Sequence, residues 1–187
     1  MNESLHGTDM DIRRAAKQDI GRIMEIYRAA QDFMIRSGNP GQWGRTYPPE
    51  ELVRDDIRRG FCHVICEDGK IHAVAALCKG DDPYYSRIDG GEWLNDDEYI
   101  AIHRIASDGF LHGVFTFVAD CCKKTYDNIR VDTHRDNLPM QKQIIKNGFV
   151  KCGTVYVRDG TARIAFQWCR SRDTDETGGN NEYSQSK

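Results

Sequence analysis

The sequence predicts an α/β (mixed α+β) protein built on a single mixed β-sheet with helices on both of its faces. Three observations support this prediction. Two Asp-Gly pairs, Asp68-Gly69 and Asp159-Gly160, each lie between apolar stretches of strand length, which is the pattern of a β-hairpin. Stretches with apolar residues at helical spacing alternate with further strand-like stretches. With 187 residues, the chain is long enough for one domain with a substantial core.

The first half of the chain predicts a strand, two helices and a hairpin. Ile20, Ile23 and Tyr27 fall on one face of a long helix. Gly38 ends this helix, and Pro40 prevents it from continuing. The predicted elements are a strand at residues 11–15, a helix at 17–37, a Gly- and Pro-rich loop at 38–49, a helix at 50–59, and strands at 61–67 and 70–79.

The second half predicts two strand–helix units and a closing hairpin. Residues 114–124 begin with β-prone side chains, but the recurrence of Val114, Val118 and Cys121 at helical spacing favours a helix. Gly148 provides the stop signal of the last helix. The predicted elements are a long polar and aromatic loop at 80–98, a strand at 99–107, a turn at 109–113, a helix at 114–124, a strand at 128–134, a helix at 137–147, and strands at 149–158 and 161–169.

The predicted elements divide the chain into three regions. Residues 1–10 form an N-terminal arm, and residues 11–169 form the folded domain. The tail at 170–187 has no aliphatic residue, so it cannot bury enough apolar surface to order itself, and we expect it to be disordered.

The composition excludes several functional classes. A formal net charge of -3, from 26 basic and 29 acidic residues, provides no field to hold a polyanion, so we expect no nucleic-acid partner. No apolar run approaches the roughly 20 residues that span a bilayer, so no membrane partner is expected. The first residues lack the apolar stretch of a signal peptide, and we therefore expect a cytoplasmic protein.

The seven cysteines are odd in number, contain no CxxC pair and lie mostly in apolar stretches, which indicates reduced, buried thiols. A zinc site built from Cys62, His63, Cys66 and His72 would lack a second properly spaced ligand pair, so no metal is expected.

The most informative stretch is the strand at 99–107 followed by a short turn and the helix that begins at Val114. A turn that leads into a helix N-terminus collects unpaired backbone amides at the positive end of the helix dipole, and this combination binds phosphate groups. Gly109 and Gly113 would allow the backbone to approach an anion closely. An ordinary tight turn remains the alternative.

The wider pattern resembles the GNAT superfamily of acetyl-CoA-dependent N-acetyltransferases. The matching pieces are IRRA opening into an amphipathic helix, the strand ending in HRIAS, the turn LHGV, and the segment NIRVDTHRDNLPMQKQIIKNGF. In that segment, Asn137 and Gly148-Phe149 match the family's Asn and Gly-Phe positions. The resemblance implies a mostly antiparallel sheet in which the central strand carries a bulge and splays from its parallel neighbour to admit the pantetheine arm of CoA.

The resemblance also implies roles for individual residues. The backbone of Ile105 and Ser107 would bind pantetheine, and the Ile105 amide would polarise the thioester carbonyl. The amides of the turn would hold the pyrophosphate. The implied acetyl-CoA-binding residues are Ile105, Ala106, Ser107, Leu111, His112, Gly113, Val114, Phe115 and Asn137.

The sequence departs from the family pattern at two places. In the pyrophosphate turn, Phe110 and Phe115 replace the usual polar and small residues, and only Gly113 matches. Ile144 occupies the position at which many members carry a tyrosine that protonates the departing thiolate. These departures motivate an alternative function, a non-catalytic acyl-CoA-binding module.

Three further residues are candidates for acid–base chemistry. His103 lies two residues before Ile105, which in a regular strand places both on one face, and an imidazole pKa of about 6.5 suits a general base. His134, at the end of the neighbouring strand, is a second candidate base, and Tyr156 is a candidate acid. For each of them the alternative is a packing or hydrogen-bonding role.

Aromatic residues of the two long loops, Trp43, Tyr84 and Trp93, are predicted to line the acceptor pocket, unless they only pack their own loops. The predicted reaction is direct transfer of acetyl from acetyl-CoA to a primary amine of a small molecule or peptide, and the resemblance is compatible with a homodimer. A cysteine hydrolase using Cys121 or Cys122 is disfavoured, because both fall in mid-helix, away from the helix N-terminus that would lower a thiol pKa.

Overall fold

The computed structural model describes residues 10–80 and 82–171, so the predicted arm at 1–10 and the tail at 170–187 lie almost entirely outside the described residues. In chain order the elements are β1 (Asp11–Arg14), α1 (Ile20–Arg36), α2 (Glu50–Arg58), β2 (Cys62–Glu67), β3 (Lys70–Lys79), β4 (Ile100–Ser107), α3 (Val114–Thr125), β5 (Asn128–Thr133), α4 (Leu138–Lys146), β6 (Val150–Tyr156) and β7 (Ala162–Cys169). Short 3-10 turns precede α1 and interrupt the long loop before β4.

The strands form one seven-stranded sheet in the order β1-β2-β3-β4-β5-β7-β6. Every neighbouring pair is antiparallel except β4 and β5, which are parallel. The predicted mixed, mostly antiparallel sheet with a central parallel pair is therefore confirmed. Both predicted hairpins are present, β2–β3 around Asp68-Gly69 and β6–β7 around Asp159-Gly160.

Helices cover both faces of the sheet, as predicted. Helices α1 and α2 bury Ile23, Ile26 and Val53 against one face of the first strands. Helices α3 and α4 bury Val118 and Ile144 against the other face. No helix of the described residues is long and apolar enough to cross a membrane.

Strand β4 contains a β-bulge that changes the direction of its side chains. His103 is paired with Ala76 and Ala106 with Val74, so two residues of β4, Arg104 and Ile105, lie opposite a single residue of β3. Arg104 has a φ of 49°, a left-handed conformation that is rare for a side chain of its size.

The bulge makes one prediction wrong. His103 and Ile105 do not share a face: Ile105 packs against the core under α3 and α4, whereas the His103 ring lies 5.5 Å from the Tyr85 ring on the opposite face. The extra residue shifts the two-residue alternation by one position. The family resemblance implies a bulge in this strand, but the alternation of apolar residues does not show where it lies.

The bulge is held by a buried ion pair. The Arg104 guanidinium donates two hydrogen bonds of 2.9 Å to the carboxylate of Asp56 on α2. The Tyr27 hydroxyl donates to the Arg104 carbonyl oxygen at 3.1 Å. Burial lowers the pKa of Arg104, but the Asp56 carboxylate outweighs burial and raises it, so the guanidinium stays charged.

Beyond the bulge, β4 and β5 separate. Their parallel pairing covers three residue pairs, from Ile100–Ile129 to Ile102–Val131. Strand β4 nevertheless continues to Ser107 and β5 to Thr133. The two central strands therefore open into a V, and past Ile102 no strand of residues 10–80 and 82–171 pairs with β4 on its β5 side.

We expect substitution of Asp56 by Asn to lower the free energy of unfolding by about 3–5 kcal/mol, because it leaves the Arg104 charge buried without its partner. The neighbouring Asp55 forms only surface ion pairs with Arg58 and Arg59, so Asp55→Asn is the matched control and should cost at most about 1 kcal/mol. Urea denaturation of both variants measures the difference; equal costs would contradict a structural role for the buried pair.

Candidate active site

The open end of the V leads into a cleft of about 960 Å³ between α1, α4 and the turn that precedes α3. Apolar side chains of α1 such as Ala30, Phe33 and Met34 form one wall, and the start of α4 forms the other. The predicted cofactor-binding residues that line this cleft are Ile105, Ala106, Ser107, Leu111, His112, Val114, Phe115 and Asn137. Gly113, the residue immediately before α3, is the predicted cofactor-binding residue that does not line the cleft. The structure thus brings together nearly the whole set that the sequence resemblance implied.

The turn between β4 and α3 is fixed by Asp108. One carboxylate oxygen accepts the amide of Phe110 at 2.9 Å, and the other lies 3.0 Å from His72 Nδ1 and forms an ion pair with Arg22 of α1. Burial raises the pKa of Asp108, but the Phe110 amide, His72 and Arg22 together lower it below its ordinary range. The imidazole of His72 also stacks on the Phe110 ring, with centroids 4.2 Å apart. An ionised Asp108 therefore ties the turn to both α1 and β3.

The turn presents a run of unpaired backbone amides. Among the residues that the structure describes, the N–H groups from Leu111 to Thr116 have no hydrogen-bond acceptor. Gly113 has a φ of 72°, a conformation that glycine adopts at little cost. Because these amides lie at the positive end of the α3 dipole, they are suited to bind an anion.

Asn137 connects the cleft to the loop between α1 and α2. Its side-chain oxygen caps α4 by accepting the Met140 amide at 3.2 Å. Its amide nitrogen donates to Gln42 Oε1 at 2.9 Å, and the same oxygen accepts a hydrogen bond from Asn39 at 2.7 Å. The 38–49 loop is therefore hydrogen-bonded to the cleft wall.

Several charged side chains lie close together at the vertex of the V, the point at which β4 and β5 begin to separate, on the sheet face opposite α3. His103 and Asp132 are the first residues of β4 and β5 past their last pair, and His103 Nδ1 lies 3.8 Å from Asp132 Oδ2. His103 Nε2 lies 2.9 Å from Asp82 Oδ2, although the N–H is not aligned for a hydrogen bond. The buried Tyr85 hydroxyl donates to Asp132 Oδ2 at 2.8 Å. The imidazole therefore sits between two carboxylates.

The two neighbouring effects on Asp82, burial and the His103 ring, act on its pKa in opposite directions. Burial raises its pKa, but the adjacent imidazole of His103 outweighs burial and keeps the pKa below its ordinary value. Asp82 is consequently an anion at neutral pH, and it can compensate a positive charge on the imidazole.

His134 lies past the last β4–β5 pair as well, but its environment differs. The Asp136 amide donates to His134 Nδ1 at 3.3 Å. Burial lowers the pKa of His134, and the positive charge of Arg163 on β7 lowers it further. The ring is therefore neutral at pH 7.

Other predicted site residues lie elsewhere. Tyr156 is 41% exposed on the edge strand β6, where it interacts with Asp89, so the structure does not bring it to the cleft. Trp43 is buried edge-on against Tyr27, with ring centroids 5.7 Å apart. The indole of Trp93 donates to the Tyr85 carbonyl oxygen at 2.9 Å.

Of the predicted acceptor-pocket residues, both tryptophans therefore have packing partners of their own. Tyr84 has an exposed ring on the 3-10 turn before β4.

The sequence patterns did not point to Asp82 or Arg163. Asp82 lies in the same 80–98 loop as the aromatic Tyr84, Tyr85 and Trp93, and no local pattern predicts the path of this loop. For Arg163 a signal exists: Arg163, Ala165 and Gln167 alternate with Ile164 and Phe166 along β7, which places the arginine on the same face as Ala165 and Gln167.

The cysteines do not form a reactive site. All seven are free, as expected for reduced thiols. Burial raises the pKa of Cys122 to about 12 and also raises that of Cys121, so neither is a thiolate at neutral pH. This disfavours the hydrolase alternative. Within residues 10–80 and 82–171, no group of three or more His, Cys, Asp or Glu side chains is arranged to hold a metal ion.

The His134 ring should titrate below its unfolded value of about 6.5. Because the folded state disfavours the protonated ring, this residue destabilises the fold at low pH, and the penalty disappears as pH rises above the unfolded pKa. NMR titration checks this: Arg163→Gln should raise the midpoint, and Asp136→Asn should lower it, since the Asp136 carboxylate raises the pKa. Shifts in the same direction for both variants would contradict the assignment.

Comparison with known proteins adds independent evidence. No family model matches the chain, and no curated protein does. Among solved structures, a GNAT-family acetyltransferase from Streptococcus agalactiae is 32% identical, with a TM-score of 0.78 over 87% of this chain and 96% of the other.

Two more distant structures share the fold. The ribosomal-protein-S18-alanine N-acetyltransferase from Escherichia coli is 14% identical, with a TM-score of 0.57 over 91% of this chain and 99% of that one. A Salmonella typhimurium structure described with its cofactor acetyl-CoA is 16% identical, with a TM-score of 0.55 over 88% and 96%. The chain is 32% identical to the Streptococcus agalactiae protein over most of both chains, and its central strand pair splays. It therefore belongs to the GNAT family of acetyltransferases.

Proposed function

We propose that this protein transfers an acetyl group from acetyl-CoA directly to a primary amine of a small molecule or peptide, within a ternary complex. One observation carries the proposal. The parallel pair β4–β5 ends after three residue pairs and opens into a cleft that reaches a turn with six consecutive amides, from Leu111 to Thr116, that have no acceptor in the described part of the chain. This opening joins a strand edge, suited to an amide-containing arm, to an anion site.

The residues of the cleft fit acetyl-CoA. Amides from Leu111 to Thr116, together with the left-handed Gly113, would hold the pyrophosphate without a basic side chain. The free edge of β4 from Ile105 to Ser107 would pair with the pantetheine arm as a strand would. A Salmonella typhimurium structure of the same fold is described with acetyl-CoA as its cofactor, which supports acetyl-CoA as the co-substrate.

The chemistry requires a deprotonated amine. Deprotonating a lysine-like ammonium with a pKa of about 10.4 costs about 4–5 kcal/mol at pH 7, so an acceptor of this kind needs a general base. His103 lies at the vertex of the V, and Asp82 and Asp132 flank its two ring nitrogens. The carboxylates orient the ring and compensate the charge that it gains with the proton. We therefore assign His103 as the general base and keep His134, also near the opening, as the second candidate.

In the transfer step, the amine nitrogen forms a bond to the acetyl carbon, and the carbon–sulfur bond breaks. His103 takes the amine proton, and CoA leaves as its thiolate. The Ile105 amide would stabilise the oxyanion that forms between these events.

No dedicated acid is needed for the leaving group. Ile144 is fully buried in the core with Phe115 and Phe149, so its position supplies no proton. A thiol has a pKa of about 8.5, and releasing a thiolate at pH 7 therefore costs only about 2 kcal/mol relative to the protonated product.

We expect acetylation of at least one member of an amine panel, measured by CoA release and by mass spectrometry of the product. His103→Ala should lower kcat about 10²- to 10⁴-fold, because the general base is lost. Its affinity for acetyl-CoA, measured by calorimetry, should stay unchanged. His63→Gln on β2, remote from the cleft, is the matched control.

Two outcomes would overturn this proposal. If calorimetry detects no binding of CoA or acetyl-CoA, the cleft does not hold the thioester. If the protein binds acetyl-CoA but acetylates no amine, it is a non-catalytic acyl-CoA-binding module, the alternative that Phe110, Phe115 and Ile144 suggest.

Asp108 offers a separate test of the anion site. Asp108→Asn should weaken acetyl-CoA binding about tenfold, because the turn loses a charge-assisted anchor to Arg22 and His72. The exposed Asp120 of α3 is the matched control, and Asp120→Asn should leave affinity unchanged. Calorimetry of both variants decides; equal affinities would show that the turn holds its shape without Asp108.

A further inference from the structure

Buried polar atoms without a hydrogen-bond partner are concentrated at the opening of the V. Among the described residues they are Asn39 Oδ1, His103 Nε2, Arg130 Nε, Thr133 Oγ1 and Arg163 Nη1. His103 and Thr133 lie on the separated parts of β4 and β5. Arg130 lies apart, stacked on the rings of Trp93 and Tyr99. His103 Nε2 has the Asp82 carboxylate 2.9 Å away, and Thr133 faces the α3 side of the sheet, so Arg163 Nη1 is the atom beside His103 that has no polar partner among the described residues. Since an unsatisfied buried polar atom costs about 1–3 kcal/mol, Nη1 calls for an explanation such as a bound ligand.

Arg163 is the most informative member of this cluster. It lies on β7 just past the last β5–β7 pair, Thr133–Ile164, and only 7% of it is exposed. Its Nη2 donates to the Gln42 carbonyl oxygen at 3.2 Å, and its Nε lies 3.8 Å from Asp132 Oδ1. The remaining nitrogen, Nη1, is buried and donates to nothing in the described residues.

At this opening, acidic side chains alternate with basic ones. Asp82, His103, Asp132 and Arg163 follow one another at separations of 2.9, 3.8 and 3.8 Å. The arrangement places a base and carboxylates at one end and a guanidinium with a free donor at the other. A ligand that complements it carries an amine at one end and an anionic acceptor group at the other.

Resting on the function proposed above, we infer that the acceptor is a free amino acid, with its carboxylate bound by Arg163 and its amine beside His103 and Asp132. A carboxylate oxygen accepts a charge-assisted hydrogen bond from Nη1 and so satisfies the donor that the protein leaves open. The Gln42 carbonyl oxygen accepts from Nη2 and leaves Nη1 as the donor for the carboxylate.

The test compares acceptors that differ only at the carboxylate. Each free amino acid is assayed beside its carboxamide and its decarboxylated amine, with the wild-type protein. For the preferred side chain, we expect kcat/KM of the free acid to exceed that of both analogues at least about tenfold. The carboxamide has the less basic amine, which loses its proton more easily, so this comparison works against the expected preference.

Substitution of Arg163 tests whether this residue causes the preference for an acceptor with a free carboxylate. Arg163→Gln should lower the ratio of kcat/KM for the free amino acid to kcat/KM for the carboxamide about 10- to 100-fold, mainly through KM of the free acid. Arg163→Lys keeps the charge and should retain part of the preference. Arg58→Gln, an exposed substitution on α2, is the matched control and should change neither substrate.

The outcomes separate this inference from the proposed function. If carboxamides or simple amines are acetylated as well as the free acids, acetyl transfer stands and the inference is wrong. If free acids are preferred but Arg163→Gln keeps the preference, Arg163 is not the carboxylate site. Should the Gln variant fail to fold, the wild-type comparison and Arg163→Lys still decide. If no amine is acetylated, both proposals fall.

Discussion

The bulge at Arg104 is the constraint on which the rest of the site depends. An arginine in a left-handed conformation, in the centre of the sheet, is held by two hydrogen bonds to the buried Asp56 carboxylate. The ladder between β4 and β5 ends just before this residue. A buried, bidentate ion pair thus secures a local conformation that the strand alone would not adopt, and the opened strands leave room for a ligand between them.

The opening has two chemically different sides because the bulge separates the side chains of β4. On the side of α3, Ile105 and the turn beyond Ser107 offer backbone groups to an extended, anionic ligand. On the other side, His103 meets the charged residues of β5, β7 and the loop before β4. A thioester entering from one side would therefore meet its acceptor from the other, with the reacting atoms at the vertex.

Much of this arrangement was accessible from the sequence. The Asp-Gly hairpins, the helix stop at Gly38 and the turn into α3 depend on local conformational preferences, and the structure has all of them. The resemblance to the family supplied eight of the residues that line the cleft, those of the β4 end, the turn before α3 and Asn137, whereas the contributions of α1 and of the rest of α4 were not predicted. The face of His103 was predicted wrongly, since a single inserted residue in a strand leaves no trace in its pattern of apolar side chains.

The order of the elements and the glycine-containing turn before α3 follow from periodicity and turn residues within short segments of the chain, and the central parallel pair follows from the resemblance to the family. Which charged residues meet at the vertex of the V depends on the tertiary structure. Asp82, His103, Asp132 and Arg163 come from a loop and three strands that are far apart in the chain, and their contacts depend on strand register, the bulge and the path of the loop. Such contacts arise when the sheet is assembled, so no local pattern contains them.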